Sequence, residues 1–407
     1  MNAPKKLLIL TSNTGGGHRS AALALEESLY RNADGPLQIR TTQVLEEATW
    51  ASRKMADLYN YLLRYHQNWM KYYYWAINTF KPNESKLILR RALKYGIQLM
   101  EEYEPDMLVS VHPMTQHFFA YVLKKMKLTH KIPLVTVVTD PCYGFWEAWS
   151  CNTVQEYYVA TDDAQMQLED FGVDPKLIHE VGMPVHARFH PVSDAERHLY
   201  RQDLGLAPDK FTVFVNAGWV GGGNIPRIMQ VLSEAQLDIQ AIFLAGKNPD
   251  LIAYGEALAQ SASFPIHVMG YVESLHHVMA ASDVMVSKLG GLTTFEALAC
   301  QLPIIADVIT PPMPQEAQTG MYIERTGTGI LLSRPEAIVS VVQSLIHSPT
   351  RFQAMRQAAL LFGKAGAVDR ISDRILDILY EVPEHHLLTK SAPNVLNQSG
   401  LNQSRLG

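Results

Sequence analysis

Cysteine is scarce in this 407-residue sequence: Cys142, Cys151 and Cys300 are the three present, and none forms a CxxC pair. That usage supports neither a zinc site nor a disulfide framework and fits a reducing cytoplasm. Long apolar runs are also missing. No segment reaches the roughly 18 consecutive apolar residues of a membrane span. The apolar patch near the N-terminus is only Leu7 to Leu10, too short for the apolar region of a signal peptide, and reads as a buried first strand. Excess positive charge is absent, the net charge being −5, so nothing points to nucleic acid as a partner. No D-x-D pair exists, which argues against a metal-bridged diphosphate site, and no metal cofactor is expected. The P-loop pattern GxxxxGK[ST] is absent as well.

What is present is a core-forming composition, 47% apolar and 18% charged, in a chain long enough for two domains. Short apolar runs alternate with helical patterns. KLLILTS, LQIRTTQVL, MLVSVHP, IPLVTVVTD and EYYVAT read as strands in the first half, and FTVFVN, IQAIFLAG, IHVMGYV, DVMVSK and LPIIADV in the second. Such alternation predicts parallel sheets with crossover helices. The polar stretch around 190–208 divides the chain into an expected N-terminal domain, 1–190, and a C-terminal domain, 209–380. The Asn/Gln/Ser-rich end, 384–407, reads as disordered. One segment, about 50–85, breaks the rhythm: it is crowded with aromatics, Tyr65, Trp69 and Tyr72 fall at helical spacing, and Lys71 adds positive charge. That is the profile of a helix at a membrane surface; a buried interdomain helix or a flap over a pocket is the competing reading.

Two glycine loops carry the chemistry. The first, Thr14-Gly15-Gly16-Gly17-His18, follows a strand and opens a helix. Gly15 and Gly17 match the first two places of a dinucleotide fingerprint, but Ser20 occupies the third and Glu46 comes too late for the ribose acid. A helix start there favours an anion, and His18 sits at a carboxyl edge where open α/β sheets place ligands; a tight turn with a solvated histidine is the alternative. Asp140 ends another strand at the same kind of edge. The second loop, SKLGGLTTFEA, ends a strand in Gly290-Gly291 and starts a helix near Thr293. Its N–H groups with Thr293 and Thr294 suit a diphosphate and Glu296 suits a ribose diol, while a capping box accounts for the same residues equally well. Lys247 is a candidate donor to a leaving diphosphate. Gln315 and Glu316, on a proline-set loop, are candidates for sugar hydroxyls.

Read in order over residues 7–345, GGGHRSAA, LYNYLLRYHQNWMKYYYW, EPDMLVSVHPMTQH, VVTD, VGMPVHARF, GKN, VMGYV, KLGGLTTFEALACQLPII and PQE resemble the monogalactosyldiacylglycerol synthase family, related to the peptidoglycan N-acetylglucosamine transferase. The resemblance implies a GT-B fold, two Rossmann-like doubly wound α/β domains facing a central cleft. It implies an inverting, metal-independent transferase that moves galactose or glucose from a UDP-sugar to diacylglycerol, peripheral on the inner, cytoplasmic face of a membrane with an anionic surface. By that resemblance His18 is the general base, with Asp140 orienting it or acting as base itself. Gly270, Tyr271 and Val272 lie by the uracil and Glu296 at the ribose. Gly290, Gly291, Thr293 and Thr294 line the diphosphate with Lys247, and Gln315 and Glu316 hold the sugar. Gly222 and Gly223 form the cleft floor, Gly16 and Gly17 approach the diphosphate's far side, and Tyr65, Trp69, Lys71 and Tyr72 face acceptor and membrane. Three places depart from the family pattern: Pro141 follows Asp140 where a leucine is usual, Ser150-Cys151 follow Trp149 where a Phe-His is usual, and Thr319 replaces an asparagine. The alternatives are a transferase for another lipid or polyprenyl acceptor, or a non-catalytic nucleotide-sugar-binding protein.

Overall fold

The computed structural model describes residues 3–66, 69–218, 223–309, 312 and 316–381. The first half runs β1 (Lys5–Thr11), α1 (Gly17–Asn32), β2 (Leu37–Gln43), α2 (Val44–Ala48), α3 (Trp50–Tyr65), α4 (Met70–Phe80), α5 (Lys86–Tyr103), β3 (Met107–Ser110), α6 (Pro113–Met126), β4 (Leu134–Val137), β5 (Glu156–Val159), α7 (Asp162–Asp170) and β6 (Ile178–Glu180). The second begins with α8 (Asp194–Asp203), β7 (Phe211–Asn216), α9 (Ile225–Ser233), β8 (Ile239–Gly246), α10 (Pro249–Ser261), β9 (Ile266–Gly270) and α11 (Leu275–Ala281). It closes with β10 (Val284–Lys288), α12 (Gly291–Ala299), β11 (Ile304–Asp307), α13 (Ala317–Arg325), β12 (Gly329–Leu332), α14 (Ala337–His347), α15 (Pro349–Gly363) and α16 (Ala367–Glu381).

Each half forms a six-stranded sheet, ordered β2-β1-β3-β4-β5-β6 and β12-β11-β10-β7-β8-β9, with parallel pairing throughout. The expected α/β class and two-sheet architecture are therefore found. Helices cover both faces, so the strands read as continuous apolar runs. Alternate residues of β1 serve opposite cores: Leu8 and Leu10 pack on one face, Leu7 and Ile9 on the other. β7 divides in the same way, Phe214 against Val213 and Val215. The short strands β6 and β12 carry no strong pattern of their own and form only as sheet edges.

The strand orders decide where ligands go. Each sheet reverses direction once, between β1 and β3 in the first and between β7 and β10 in the second. Loops leaving neighbouring strands diverge at such a point, and the crevice outside the carboxyl ends is left open. The glycine loop before α1 leaves the first of these crevices, and the one before α12 leaves the second.

Two expected boundaries need correction. The stretch 190–208 is not a linker: α8 packs against the second half, with Arg197 Nη1 donating to the Ser282 carbonyl and Arg201 pairing with Asp283 at 2.7 Å. Nor does the C-terminal domain run to 380. α16 crosses back to the first sheet, where Val368, Ile371, Ile375 and Leu379 join the Leu7–Ile9 core. Ser28 Oγ and Asn32 Nδ2 donate to Asp369 and Asp373 of that helix at 2.6 and 2.7 Å. An amphipathic helix docks wherever an apolar face is open, and sequence order does not say which sheet offers one. The tail expected to be disordered, 384–407, lies outside the described residues.

Ile375, fully buried although six residues before the last described position, tests this return crossing. Ile375→Ala is expected to destabilise the fold by about 2–4 kcal/mol in a denaturant melt, as for a core residue. A loss of a few tenths would mean that α16 is peripheral.

Candidate active site

His18 lies in the first turn of α1, whose N-cap is Gly16. Its Nδ1 is 2.9 Å from the Val111 carbonyl and 2.8 Å from Thr139 Oγ1. A carbonyl oxygen can only accept, so Nδ1 carries the proton and Nε2 keeps its lone pair. Val111 follows β3 and Thr139 follows β4, so the sheet itself sets the tautomer. Burial pushes the His18 pKa below its ordinary value of 6.5, partly opposed by the negative charge of Asp140 and by the Val111 carbonyl. His18 is thus neutral and basic at Nε2 near neutral pH.

Asp140 does not hold the imidazole. Its Oδ2 accepts the Trp149 indole N–H at 2.6 Å, and burial raises its pKa, with the His18 charge and that bond opposing. The orienting role expected for Asp140 therefore belongs to Val111 and Thr139. What Asp140 supplies is a charge that favours the imidazolium. His112 packs edge-on to His18 with ring centroids 4.7 Å apart. Its Nδ1 accepts the Met114 N–H at 3.1 Å, so its Nε2 donates to Thr14 Oγ1 at 2.9 Å. Burial holds it well below the usual histidine range, and it serves as a neutral brace for the loop.

The second glycine loop faces the first. A Cβ on Gly291 would lie 3.1 Å from Pro141 Cδ and 3.6 Å from the Thr139 carbonyl, and one on Gly17 would lie 4.0 Å from Leu292 Cβ. The start of α12 therefore touches the strand-end loop that holds His18. Gly290 is the N-cap of α12 and no side chain caps it. The capping-box reading of Thr293 and Glu296 fails on this point, and the first-turn N–H groups stay available for an anion. Thr293 is half-buried, whereas Thr294 is buried with its hydroxyl unpartnered among the described residues. Gly290 has open space where a Cβ would stand.

Around this point stand charged groups. Burial raises the Glu296 pKa to about 7, against the opposing charge of Arg188. Lys288 ends β10, and burial lowers its pKa while Asp307 and Glu316 oppose. Lys247 places its ammonium 4.4 Å from the centre of the Tyr271 ring, at the ends of β8 and β9 beside Gly270. Val272 packs partly into the core beneath. Gly223, at φ +68°, precedes α9 at the end of the loop from β7. Gly222 and Gln315 lie outside the described residues.

From His18 and Asp140 a cavity of about 160 Å³ runs into the first half. It passes between α2, α3, α4 and α5, and its walls are mostly apolar, including Leu45, Met55, Ile77, Ile88 and Leu89. Tyr59, Tyr73 and Tyr74 also line it. Tyr65, Trp69, Lys71 and Tyr72 do not: all four lie exposed on the outer side of α3 and α4. There Tyr61, Tyr65, His66, Trp69 and Tyr72 form a chain of rings 5.2–6.5 Å apart. Trp75, 63% exposed, and Phe80, 72% exposed, extend it, far more apolar surface than a solvated helix carries. Lys86, Arg90 and Lys94 make an exposed basic stripe on the neighbouring α5, while Arg91 lines the cavity. Among the described residues no helix is long and apolar enough to cross a membrane.

The family model described as monogalactosyldiacylglycerol (MGDG) synthase matches residues 18–185, and that of glycosyl transferases group 1 matches 224–348. The chloroplastic monogalactosyldiacylglycerol synthase of Spinacia oleracea is 29% identical over 385 residues, 91% of this chain and 72% of that protein. The processive diacylglycerol beta-glucosyltransferase of Bacillus subtilis is 26% identical over 366 residues, covering 88% and 91%. The first half thus carries a monogalactosyldiacylglycerol synthase-like domain, and the chain is a glycosyltransferase similar along most of its length to enzymes that glycosylate diacylglycerol. The crystal structure of Acinetobacter baumannii MurG superposes with a TM-score of 0.62 at 12% identity, covering 93% of this chain and 99% of that one, and shows the fold to be GT-B.

In this glycosyltransferase the sequence pattern misses several residues that the structure places at the site. Thr139 and Val111 act through a hydroxyl and a carbonyl, which leave no signature. Arg188 and Lys288 stand inside recognisable motifs, VGMPVHARF and SKLGG, but only the fold brings the charge of Arg188 near Glu296 and that of Lys288 near Asp307 and Glu316. The tyrosines of the cavity sit beside those that pattern reading favours, because helical spacing alone does not tell the inner face from the outer.

Glu296 has a stability signature. Its folded pKa lies above the ordinary 4.5, so the folded state holds a proton that the unfolded chain releases between about pH 4.5 and 7. Its contribution is present below that window, is lost as pH rises through it and is flat above. Glu296→Gln is therefore expected to melt higher than the parent at pH 8, with the gap closing towards pH 4.5 in a thermal scan. A gap independent of pH would rule out an unpaired buried carboxylate.

Proposed function

We propose that this glycosyltransferase moves galactose or glucose from a UDP-sugar to diacylglycerol, with inversion, at the cytoplasmic surface of an anionic membrane. One observation carries the reading: His18, neutral and free at Nε2, stands at the head of an apolar cavity and beside the uncapped start of α12. A hydroxyl on an acyl-bearing molecule, seated with its chain among Met55, Ile77 and Leu89, would meet Nε2 on one side and a donor sugar on the other.

The reaction follows from these positions. The acceptor oxygen attacks the anomeric carbon from the face opposite the diphosphate. Its proton passes to His18 Nε2 as the carbon–oxygen bond to the diphosphate breaks, and inversion results. The imidazolium formed in a buried site needs a counter-charge, which Asp140 supplies. The leaving diphosphate gathers charge where the α12 N–H groups are already oriented, with Lys288, from the strand that leads into that helix, as a candidate cation. On this reading no metal is required. Glu296 suits the ribose diol, Tyr271 and its backbone neighbours the uracil, and Glu316 the sugar. Outside the cavity, the aromatic rings on α3 and α4 match an interfacial belt, and the basic stripe on α5 matches anionic headgroups.

The assay is transfer from UDP-galactose and from UDP-glucose to diacylglycerol in anionic vesicles, with products read by mass spectrometry. Transfer with one or both donors is expected; no transfer with either would refute the reading, and transfer to a soluble acceptor alone would refute the lipid part. His18→Ala is expected to lower kcat by about 100- to 10,000-fold. The parent's kcat/KM should rise with pH to a plateau already reached by neutrality, because the base works deprotonated and its pKa lies below the ordinary 6.5. Asp140→Asn should lower kcat and move that acid limb to still lower pH, since it removes the charge that raises the His18 pKa. A limb that moved to higher pH would exclude this pairing.

A further inference from the structure

Asn60 occupies an unusual place. It lies in the C-terminal half of α3, among the exposed Leu58, Tyr61 and Tyr65. Asparagine is a poor residue for a helix interior, because its amide competes for backbone partners. Here the amide is turned inward and spent on the loop that leads to His18. Oδ1 accepts the Gly15 N–H at 3.0 Å, and Nδ2 donates to the Asn13 carbonyl at 2.9 Å. One side chain thus closes two backbone groups of the turn, as a neighbouring strand would.

The turn needs such a partner. Gly15 sits at φ +71°, and Gly15, Gly16 and Gly17 have no side chains with which to hold themselves. Upstream, Ser12 Oγ and the Asn13 N–H donate to Glu46 Oε1 at 2.9 and 2.8 Å. Downstream, His18 is held through its own ring. Between these anchors, Asn60 pins Gly15. The helix that supplies Asn60 is itself thinly attached: Ala56 is its one fully buried side chain among the described residues. Its outer face, with that of α4, is the aromatic surface. Few buried contacts mean low local stability, so a surface that orders α3 also orders what Asn60 grips.

We propose that Asn60 is a positioning residue that couples seating of the α3–α4 aromatic face in a lipid surface to placement of the Gly15–His18 turn. It rests on the lipid-glycosylating reading above. Seated, α3 is fixed, the amide clamp is closed, and Nε2 of His18 is held against the acceptor hydroxyl. Unseated, α3 gives, and the glycine turn gives with it. Binding of the nucleotide sugar to the other half is untouched.

The test uses the full chain with whichever UDP-sugar the parent accepts. Rates are compared on long-chain diacylglycerol in anionic phosphatidylglycerol vesicles and on dispersed short-chain diacylglycerol. The parent is expected to turn over faster on vesicles. In Asn60→Ala, kcat on vesicles should fall about tenfold or more, as misplacement of a reacting group commonly does. The KM for the UDP-sugar should stay unchanged and the vesicle-to-dispersed ratio should drop to about one. Asn60→Asp keeps the shape and the acceptor for Gly15 but loses the donor to Asn13. It should lose most of the ratio with an unchanged melting temperature, which separates coupling from misfolding. A ratio preserved in both variants, whether or not the rates fall, would overturn the proposal. A parent chain that transfers to neither acceptor would overturn the underlying reading and this one with it.

Discussion

The hydrogen bond from His18 Nδ1 to the Val111 carbonyl is the contact on which the site depends. It decides which nitrogen holds the proton, and so which is free to take one. It exists because β1 and β3 are adjacent, and their loops leave the sheet at the point where strand order reverses. Thr139, from the end of β4, completes the grip. Three parallel strands thus meet at one imidazole, with no side-chain carboxylate required for its orientation.

The same constraint links the two halves. Thr139 and Pro141 touch the start of α12 through Gly291, so the residues that hold His18 also border the uncapped helix start. A Cβ at Gly291 would make Pro141 give way by a few tenths of an ångström. The site is therefore a seam, one switch point supplying His18 and the other supplying the N–H groups and charges. The return of α16 onto the first sheet ties the chain's last helix to the half that carries the base. This arrangement keeps the seam from being a simple hinge between two independent units.

Burial tunes both sides in opposite chemical senses with one physical cause. It lowers His18, keeping it neutral and basic, and it raises Glu296, leaving an acid that is costly until something pairs with it. The cavity extends the argument to the acceptor. An apolar tube ends at a neutral imidazole, with phenols along its wall and an aromatic surface on the outer side of the same helices.

Much of the fold was legible in the sequence because buried parallel strands leave continuous apolar runs and crossover helices leave a different period. The two glycine loops, His18 and the start of α12 were legible because a strand, a glycine turn and a helix start in succession form a local signal. Thr139, Val111, Lys288 and the cavity tyrosines were not, since their roles come from atoms that meet across the sheet order. The choice between a capping box and an open helix end at Thr293 also waited on the coordinates, because the two differ only in where a side chain points. So did the position of α16, and the part of Asn60, whose amide faces a loop 45 residues upstream of it. The sequence determined which elements form and which chemical groups the chain owns, for these depend on short-range pattern. The tertiary structure alone decided which groups meet, because adjacency in a doubly wound sheet is set by crossovers that place distant residues edge to edge.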